Sequence, residues 1–226
     1  MAQRLSKPAK TSISIIGLGA VGSALAKALA RTGRFRLMLV GRGRANEKRL
    51  AHSFRAEYVP ALEQLKQDQG IIILSVGDRD LPDVIRTLAG LKLPWPKLTV
   101  LHTSGPQGIK VLTPLARRGA GVAAWHPYQT FPKRAKNVAL DGVTFGITAN
   151  KRGLAVARAL TRAMGGIPLM VREQDRALYH ASAVFACGFV AADLLTAEEI
   201  LRGLGIPLKK ARAAVLHMAE ATLKNV

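Results

Sequence analysis

Short apolar runs alternate with helical patterns over the first three quarters of the chain. In 20–31, apolar residues recur on one helical face, directly after the β-rich run 12–16. Elsewhere the pattern predicts strands at 36–40, 71–76, 98–103, 121–125, 143–148 and 167–171, and helices at 61–65, 81–91 and 151–164. Strands that alternate with helices are typical of right-handed βαβ units. The pattern therefore predicts an α/β fold with a mainly parallel sheet.

The alternation stops near Glu173, and the remaining sequence is helical in pattern. Residues 177–197 are almost uncharged over a length that could cross a bilayer, but His180, Asp193 and many alanines argue against a membrane span. Small residues let another backbone approach closely. We therefore expect a helix that is buried on all sides, in a helical domain or in a dimer core.

A last amphipathic helix is predicted at 208–223, with Ala211, Val215 and Met218 facing inward. So short a helical part has too few residues to cover its own apolar surface, and we expect it to form a homodimer. The predicted domains are an α/β dinucleotide-binding domain over 11–172 and a helical domain over 173–226.

A glycine-rich motif joins the first strand to the first helix. Gly17 permits a tight turn, Gly19 lets the backbone approach a pyrophosphate, and Gly22 lets the helix pack on the sheet. Amides at the start of the helix would bind the phosphates. In this strand, turn and helix context the G-x-G-x-x-G pattern predicts a dinucleotide-binding loop. The loop consists of Gly17, Leu18, Gly19, Ala20, Val21 and Gly22.

The end of the second strand indicates which dinucleotide binds. An NAD site would carry an acid there for the ribose 2′-hydroxyl, but residues 40–44 contain Arg42 and Arg44 and no acid. Arginine can bind a 2′-phosphate with two hydrogen bonds and stack on adenine, so we expect NADP as the cofactor. The alternative is that both are solvated loop arginines in an arginine-rich protein.

Two further loops should lie over the cofactor, because the carboxyl ends of parallel strands line the ligand crevice. Thr103 and Ser104 offer hydroxyls to a substrate carboxylate or carbonyl. His102 and His126 are candidate catalytic groups, although a histidine at a strand end can equally be bound to its own loop. The cofactor-binding residues predicted in these loops are Val76, Gly77, Asp78 and Gly105.

His180 lies near the start of the long apolar helix, beside Tyr179. Reduction of a carbonyl or imine needs a proton donor, and histidine is the side chain that titrates near neutral pH. We expect His180 to be that donor. The alternative is a histidine satisfied within the protein core.

The composition restricts the class of protein. The single cysteine, Cys187, excludes an internal disulfide and a thiolate metal cluster, so we expect a cytoplasmic protein without a metal site. Thirty-four Lys and Arg against 14 Asp and Glu give a formal net charge of +20, which favours phosphate-bearing ligands or polyanions. The basic residues are scattered in ones and twos, without interleaved aromatics, and this argues against a dedicated nucleic-acid module.

The sequence resembles Rossmann-like proteins with a C-terminal helical domain of unknown function, relatives of ketopantoate reductase, pyrroline-5-carboxylate reductase and the 6-phosphogluconate dehydrogenase superfamily. The resemblance covers nearly the whole chain through GLGAVGSALA, LHTSG, HPYQTF, GVTFGIT, LYHASAVFACGF and TLKNV. It implies a Rossmann-type fold that binds NADP. It also implies that the helical domain dimerises and contributes Tyr179 and His180 to a cleft lined by LHTSG and HPYQTF.

Two departures from the family pattern bear on the activity. The superfamily helix often carries a lysine and an asparagine, whereas 177–197 has no lysine, and Cys187 and Gly188 stand where relatives tend to have Ser-Asn. The sequence thus predicts an NADP-dependent reductase of a small keto or imino carboxylate. The alternatives are a non-catalytic NADP sensor and a nucleic-acid binder attracted by the basic charge.

Overall fold

The computed structural model describes residues 10–132 and 138–225. It divides the chain into two compact units, Met1–Ala177 and Leu178–Val226. This boundary falls five residues beyond the one predicted from the sequence. The reason is that Glu173 and Arg176 make hydrogen bonds to loops of the first unit, so the start of the helical region belongs to it.

The first unit contains an eight-stranded sheet with the order β3-β2-β1-β4-β5-β6-β7-β8. The first six strands in this order are mutually parallel, β7 is antiparallel to β6, and β8 is parallel to β7. This confirms the predicted Rossmann-type, mainly parallel sheet. The strands are β1 Thr11–Ile16, β2 Phe35–Val40, β3 Glu57–Val59, β4 Ile71–Leu74, β5 Thr99–His102, β6 Gly121–Pro127, β7 Thr144–Ala149 and β8 Ile167–Met170.

Helices cover both faces of the sheet, and the central strand β4 shows why. Ile71 and Ile73 pack into the core on one face, whereas Ile72 and Leu74 pack into the core on the other. Successive side chains of a strand point to opposite faces, so a strand that is apolar throughout must be covered on both. The helices of this unit are α1 Ala20–Arg31, α2 Ala45–Ser53, α3 Leu81–Gly90, α4 Thr113–Ala116 and α5 Lys151–Ala163, followed by the start of α6 Arg176–Val184.

Strand β8 forms one edge of the sheet. Its apolar side chains are poorly covered, with Ile167 55% and Met170 47% exposed. The amides of Ile167 and Val171 donate to the β7 side, to Val143 O and Ile147 O, both at 2.9 Å. Pro168 lies between them.

The second unit consists of the rest of α6, a π-helical turn at Phe185–Phe189, and helices α7 Val190–Gly203 and α8 Leu208–Leu223. Glu198 of α7 and Arg212 of α8 form an ion pair of 2.7 Å. As predicted, Ala211 is buried, but Met218 is 69% exposed, contrary to the predicted inward orientation. Within the described residues, no helix has both the length and the apolar character needed to cross a membrane.

The predicted helix 177–197 is correct in type but is not buried by its own chain. Leu178 is 75% exposed, Phe185 64% and Leu195 56%. We predicted that this helix is buried either within a helical domain of its own chain or in a dimer core, and the first of these is therefore wrong. A dimer core stays a prediction.

Candidate functional site

A cleft of about 450 Å³ lies over the carboxyl ends of β1, β2 and β4. This is the point where the strand order reverses, since β2 flanks β1 on one side and β4 flanks it on the other. Ligands of doubly wound sheets bind at such a switch point. Of the predicted cofactor-binding residues, the cleft is lined by Gly17, Leu18, Gly19, Arg42, Arg44, Val76 and Gly77.

The glycine loop at the cleft is shaped by close backbone contacts. Gly17 has φ +91°, and a Cβ there would overlap the Ser75 carbonyl oxygen. A Cβ on Gly22 would overlap the Gly17 carbonyl oxygen, so the start of α1 can pack against the loop only with glycine at this position. A Cβ on Gly19 would meet no atom within 4 Å. Gly17 and Gly22 thus fix the loop, and Gly19 leaves space for a ligand.

The first turn of α1 faces the cleft without a side-chain cap. Gly19 is the N-cap residue, and the first turn carries no acidic side chain. Amides at the N-terminus of a helix have no partner within the helix, and the helix dipole adds partial positive charge there. Ala20, Val21 and Gly22 belong to this turn, so their backbone can bind an anionic group at Gly19.

The loop after β2 is held by an acid that the sequence analysis did not single out. Glu47 is 7% exposed, and its Oε2 accepts hydrogen bonds from the amides of Arg42 (2.9 Å) and Arg44 (3.0 Å) and from the Tyr58 hydroxyl (2.9 Å). The Gly43 amide donates to the Tyr58 oxygen at 2.9 Å. Burial alone would raise the pKa of Glu47, but these hydrogen bonds lower it below its ordinary value. The carboxylate therefore stays charged and fixes the loop backbone.

The guanidinium groups of this loop lie on its outer side. Arg42 and Arg44 are exposed, and Arg42 makes an ion pair of 2.9 Å with Asp80, which precedes α3. Asp80 also lines the cleft. An exposed pair of this kind is weak, so Arg42 can exchange Asp80 for a phosphate at little cost.

The loop after β5 contains the predicted residues His102, Thr103 and Ser104. The Thr103 hydroxyl lies 3.4 Å from the hydroxyl of Ser75, which lines the cleft. Ser104 is buried, and its Oγ accepts from the Gln107 amide at 3.3 Å. The structure thus brings Thr103 to the edge of the cleft, whereas Ser104 is engaged within its own loop.

His102 is fully buried, and both of its ring nitrogens bind the loop backbone. Its Nε2 lies 2.9 Å from Gly108 O, and its Nδ1 accepts from the Ser104 amide at 3.2 Å. A neutral ring protonated at Nε2 satisfies both contacts. This arrangement favours the alternative weighed above, a histidine that shapes its own loop.

Arg176 and Glu173, which the sequence analysis missed, hold the same loop from the other side. Arg176 is 2% exposed and donates to Ser104 O (2.7 Å) and Gly146 O (3.2 Å). Glu173 accepts from the amides of Ile109 (2.8 Å) and Lys110 (3.1 Å). A buried arginine that donates to carbonyls 72 and 30 residues away leaves no local sequence signal.

Burial lowers the pKa of His102 to about 4, and Arg176 adds to this, while the bond to Gly108 and the charges of Asp78 and Glu173 oppose it. As the pH falls, His102 of the unfolded chain is protonated near pH 6.5, whereas His102 of the folded chain is protonated only near pH 4. The free energy of unfolding should therefore decrease between pH 6.5 and pH 4, by about 3 kcal/mol in total. Urea unfolding at pH 7, 6 and 5 measures it.

The matched variants are His102→Gln and His52→Gln, the latter at an exposed position on α2. His102→Gln should be less stable at pH 7 but lose less on going to pH 5. His52→Gln should follow the parent. An equally steep loss in His102→Gln would assign the acid sensitivity to other groups.

The remaining predicted residues are distributed as follows. Asp78 is exposed and Gly105 is buried, and neither is among the lining residues of the cleft. His126 lies near the end of β6, paired in register with Gly146. His180 belongs to the second unit, on α6, and its role as a proton donor stays a prediction. In the described part of the chain, no three His, Cys, Asp or Glu residues cluster in a way that could hold a metal ion.

The fold and the glycine loop define a Rossmann-like protein, and the comparisons agree with this. The Rossmann-like domain family matches residues 2–127, more than half of the chain, and the chain belongs to this family. Residues 143–226 match a domain of unknown function, DUF2520. No curated protein matches the sequence.

Solved structures with the same fold come from several organisms. A candidate NADP oxidoreductase of Bacteroides fragilis superposes with a TM-score of 0.77 at 24% identity, over 96% of this chain and 80% of that one. The 1-pyrroline-5-carboxylate reductase of Streptococcus pyogenes gives 0.72 at 20% identity, over 96% and 79%. A pyrroline carboxylate reductase of Plasmodium falciparum with NADP bound gives 0.68 at 17%, over 95% and 78%. At these identities the likeness establishes the fold.

Proposed function

We propose that this protein is an NADP-dependent oxidoreductase that reduces a small keto or imino carboxylate. The observation that carries the proposal is the cleft itself. It joins an open glycine loop to a second loop with two exposed arginines, and the backbone amides of these arginines donate to Glu47 of α2. Structural similarity to a pyrroline-5-carboxylate reductase, an imine reductase and a reductive aminase supports a reaction at a C=N or C=O bond.

Among the acids that line the cleft, Glu47 binds the loop after β2, and its contacts do not argue for NAD. A carboxylate that selects NAD must accept from the ribose 2′-hydroxyl. Oε2 of Glu47 already accepts three hydrogen bonds, two from loop amides and one from Tyr58. Its charge is thereby spread over the loop, while the guanidinium groups of Arg42 and Arg44 face the solvent side, where a 2′-phosphate would approach.

The reduced cofactor, NADPH, would supply the hydride when bound. The α1 amides and Gly19 would hold its pyrophosphate, and Arg42 and Arg44 its 2′-phosphate. In our proposal the Thr103 hydroxyl orients the substrate carbonyl or imine, and His180 delivers the proton. His102, Glu173 and Arg176 keep the Thr103 loop in place, so they are positioning residues.

A non-catalytic NADP sensor is the second candidate function. It is favoured by the absence of lysine from 177–197 and by Cys187 and Gly188 in place of Ser-Asn. Absorbance at 340 nm during incubation with NADPH and a panel of keto acids and cyclic imino acids separates the two functions. Consumption of NADPH that depends on one of these compounds supports the reductase. Tight NADPH binding with no consumption across the panel supports the sensor.

Cofactor preference tests the roles of Arg42 and Arg44. NADPH should bind at least tenfold more tightly than NADH, a difference of about 1.4 kcal/mol. Arg42→Ala with Arg44→Ala should abolish this preference mainly by weakening NADPH. The matched control is Lys48→Ala with Arg49→Ala, which removes two exposed charges from the neighbouring helix α2. Titration calorimetry gives all the affinities, and equal NADPH and NADH affinities in the parent would refute the assignment.

We further propose that the second unit forms a homodimer. In this unit Leu178, Phe185, Leu204 and Met218 are each more than 60% exposed. Exposed apolar side chains of this size mark a surface that another protein surface covers. Sedimentation at micromolar concentration should give a dimer, and Phe185→Glu should give monomers. A parent protein that sediments as a monomer would contradict the proposal.

A further inference from the structure

The basic residues that are scattered along the sequence collect at one edge of the sheet. The turns that precede the six mutually parallel strands β1 to β6, and the turn after the antiparallel strand β7, all lie at the edge opposite the cleft. We call this the amino edge. Its turns and the residue before β1 contain one acid, Asp68, and eight basic residues, namely Lys10, Arg34, Arg55, Lys66, Lys92, Lys97, Arg117 and Arg118. Three more basic residues stand at the adjoining helix ends, Arg31 at the end of α1 and Lys151 and Arg152 at the start of α5.

Hydrogen bonds and a shared depression bring several of these groups together. Arg152, at the start of α5, donates to Leu98 O (2.8 Å) and to the carbonyls of Pro96 and Gly119, which precede β5 and β6. Lys10, Arg36 and Arg55 line one depression below β1 and β2. All eleven basic side chains are in exposed residues. Asp68 is itself paired with Arg36.

The cofactor does not account for this charge. The described turns at the cleft edge, 17–19, 41–44, 60–61, 75–80, 103–108, 128–132 and 138–143, contain three basic and three acidic residues. A dinucleotide in the cleft would therefore be bound by a nearly balanced edge. Like charges crowded on the opposite edge repel one another and oppose folding, unless an anionic partner offsets that repulsion.

The dimensions of the amino edge fit a polyanion rather than a small anion. Six strand-to-strand steps separate β3 from β7, which at about 4.8 Å each is roughly 29 Å. That length corresponds to about eight base pairs of a duplex, which carries one charge per 1.7 Å of axis. The aromatic residues of these turns are Phe54, which is half-buried, and Trp95, which is buried. An edge without exposed aromatics cannot stack on unpaired bases, so it suits the backbone of a duplex.

We propose that the amino edge binds the phosphate backbone of double-stranded nucleic acid, independently of sequence and at a distance from the cleft. The binding is electrostatic. Each neutralised phosphate releases counterions, so affinity should fall steeply with salt. The proposal does not depend on the oxidoreductase function, because it uses other residues of the first unit.

Fluorescence anisotropy of a labelled 24-base-pair DNA duplex, from 50 to 300 mM KCl, tests this proposal with the full chain. The edge variant combines Arg34→Gln, Lys97→Gln, Arg117→Gln and Arg118→Gln. The control variant removes the same charge elsewhere, through Arg86→Gln, Arg162→Gln, Lys209→Gln and Lys210→Gln, which are also exposed. An RNA duplex and a single-stranded DNA of equal length complete the comparison.

The parent should bind duplex DNA in the micromolar range at 150 mM KCl. In the edge variant the slope of log affinity against log salt should become shallower by about 3 to 4, and affinity should fall roughly 50-fold or more. The control variant should stay within about threefold of the parent. Comparable affinity for DNA and RNA duplexes identifies the shared phosphate backbone as the ligand, and a preference for one identifies the helix form that fits.

Several results would overturn the proposal. These are no binding at 150 mM KCl, equal losses in the edge and control variants, or tighter binding of single strands than of duplex. Thermal unfolding checks that the edge variant is folded. If it is not, the double variants Arg34→Gln with Lys97→Gln, and Arg117→Gln with Arg118→Gln, should each reduce the slope by about two.

Discussion

Replacing His180 by glutamine should leave NADPH affinity unchanged and lower the turnover of the substrate that NADPH reduces by about 10² to 10⁴, the usual contribution of a general acid. Glutamine has a similar reach but no proton to give near neutral pH. Steady-state kinetics measure the turnover, and titration calorimetry measures the NADPH affinity.

The matched control is His217→Gln, at an exposed position on α8 of the same unit. It should behave as the parent in turnover and in NADPH affinity. Parent-like turnover in His180→Gln would assign the proton to another group, with His126, Tyr179 and solvent as the remaining candidates. His102 is the least suited of the candidates, because its buried ring is held by the loop backbone on both sides.

The second large effect is expected at Gly19. Gly19→Val should keep the fold, because its φ is −70° and a Cβ meets no atom within 4 Å. The branched side chain would instead occupy the space where a pyrophosphate must approach the backbone. We expect NADPH affinity to fall at least 100-fold, about 2.7 kcal/mol. The thermal shift that saturating NADPH produces in the parent should then vanish.

Gly22→Ala provides the contrasting variant. Its Cβ would overlap the Gly17 carbonyl oxygen, so α1 must move away from the loop and stability should drop before any ligand is added. The two substitutions thus separate binding from folding within one motif. A Gly19→Val protein that NADPH stabilises as strongly as the parent would show that the dinucleotide does not bind at this loop.

Most of the fold could be predicted from periodicity, because apolar runs such as 71–74 and helical faces such as 151–163 are strong local signals. The missed elements were α2, β3 and the four-residue helix α4. Helix α2 buries only Glu47 and Ala51, so it has no apolar stripe, and β3 has three residues. Strand β4 ends at Leu74 rather than at residue 76, because the chain turns into the cleft at Ser75.

Site residues could be predicted where a single segment forms that part of the site, but not where distant segments meet. Residues 17–22 form one recognisable glycine-rich motif. By contrast, Glu47 accepts from the amide of Arg44, in the loop before its own helix, and from the hydroxyl of Tyr58 in β3. Arg176 donates to the carbonyls of Ser104 and Gly146. Such contacts depend on the strand order, which the sequence pattern does not contain. The same is true of the amino edge, whose charges are far apart in sequence.

Pro168 has a consequence for how the sheet ends. In β8 the amides of Ile167 and Val171 point toward β7, so the alternating positions 168 and 170 point outward. Proline has no amide hydrogen, and the outer rim of this four-residue strand is therefore left with one donor, at Met170. A rim with apolar side chains and a full row of donors would be a template for strand addition and aggregation. With proline at this position, a ninth strand would gain too few backbone hydrogen bonds to attach there.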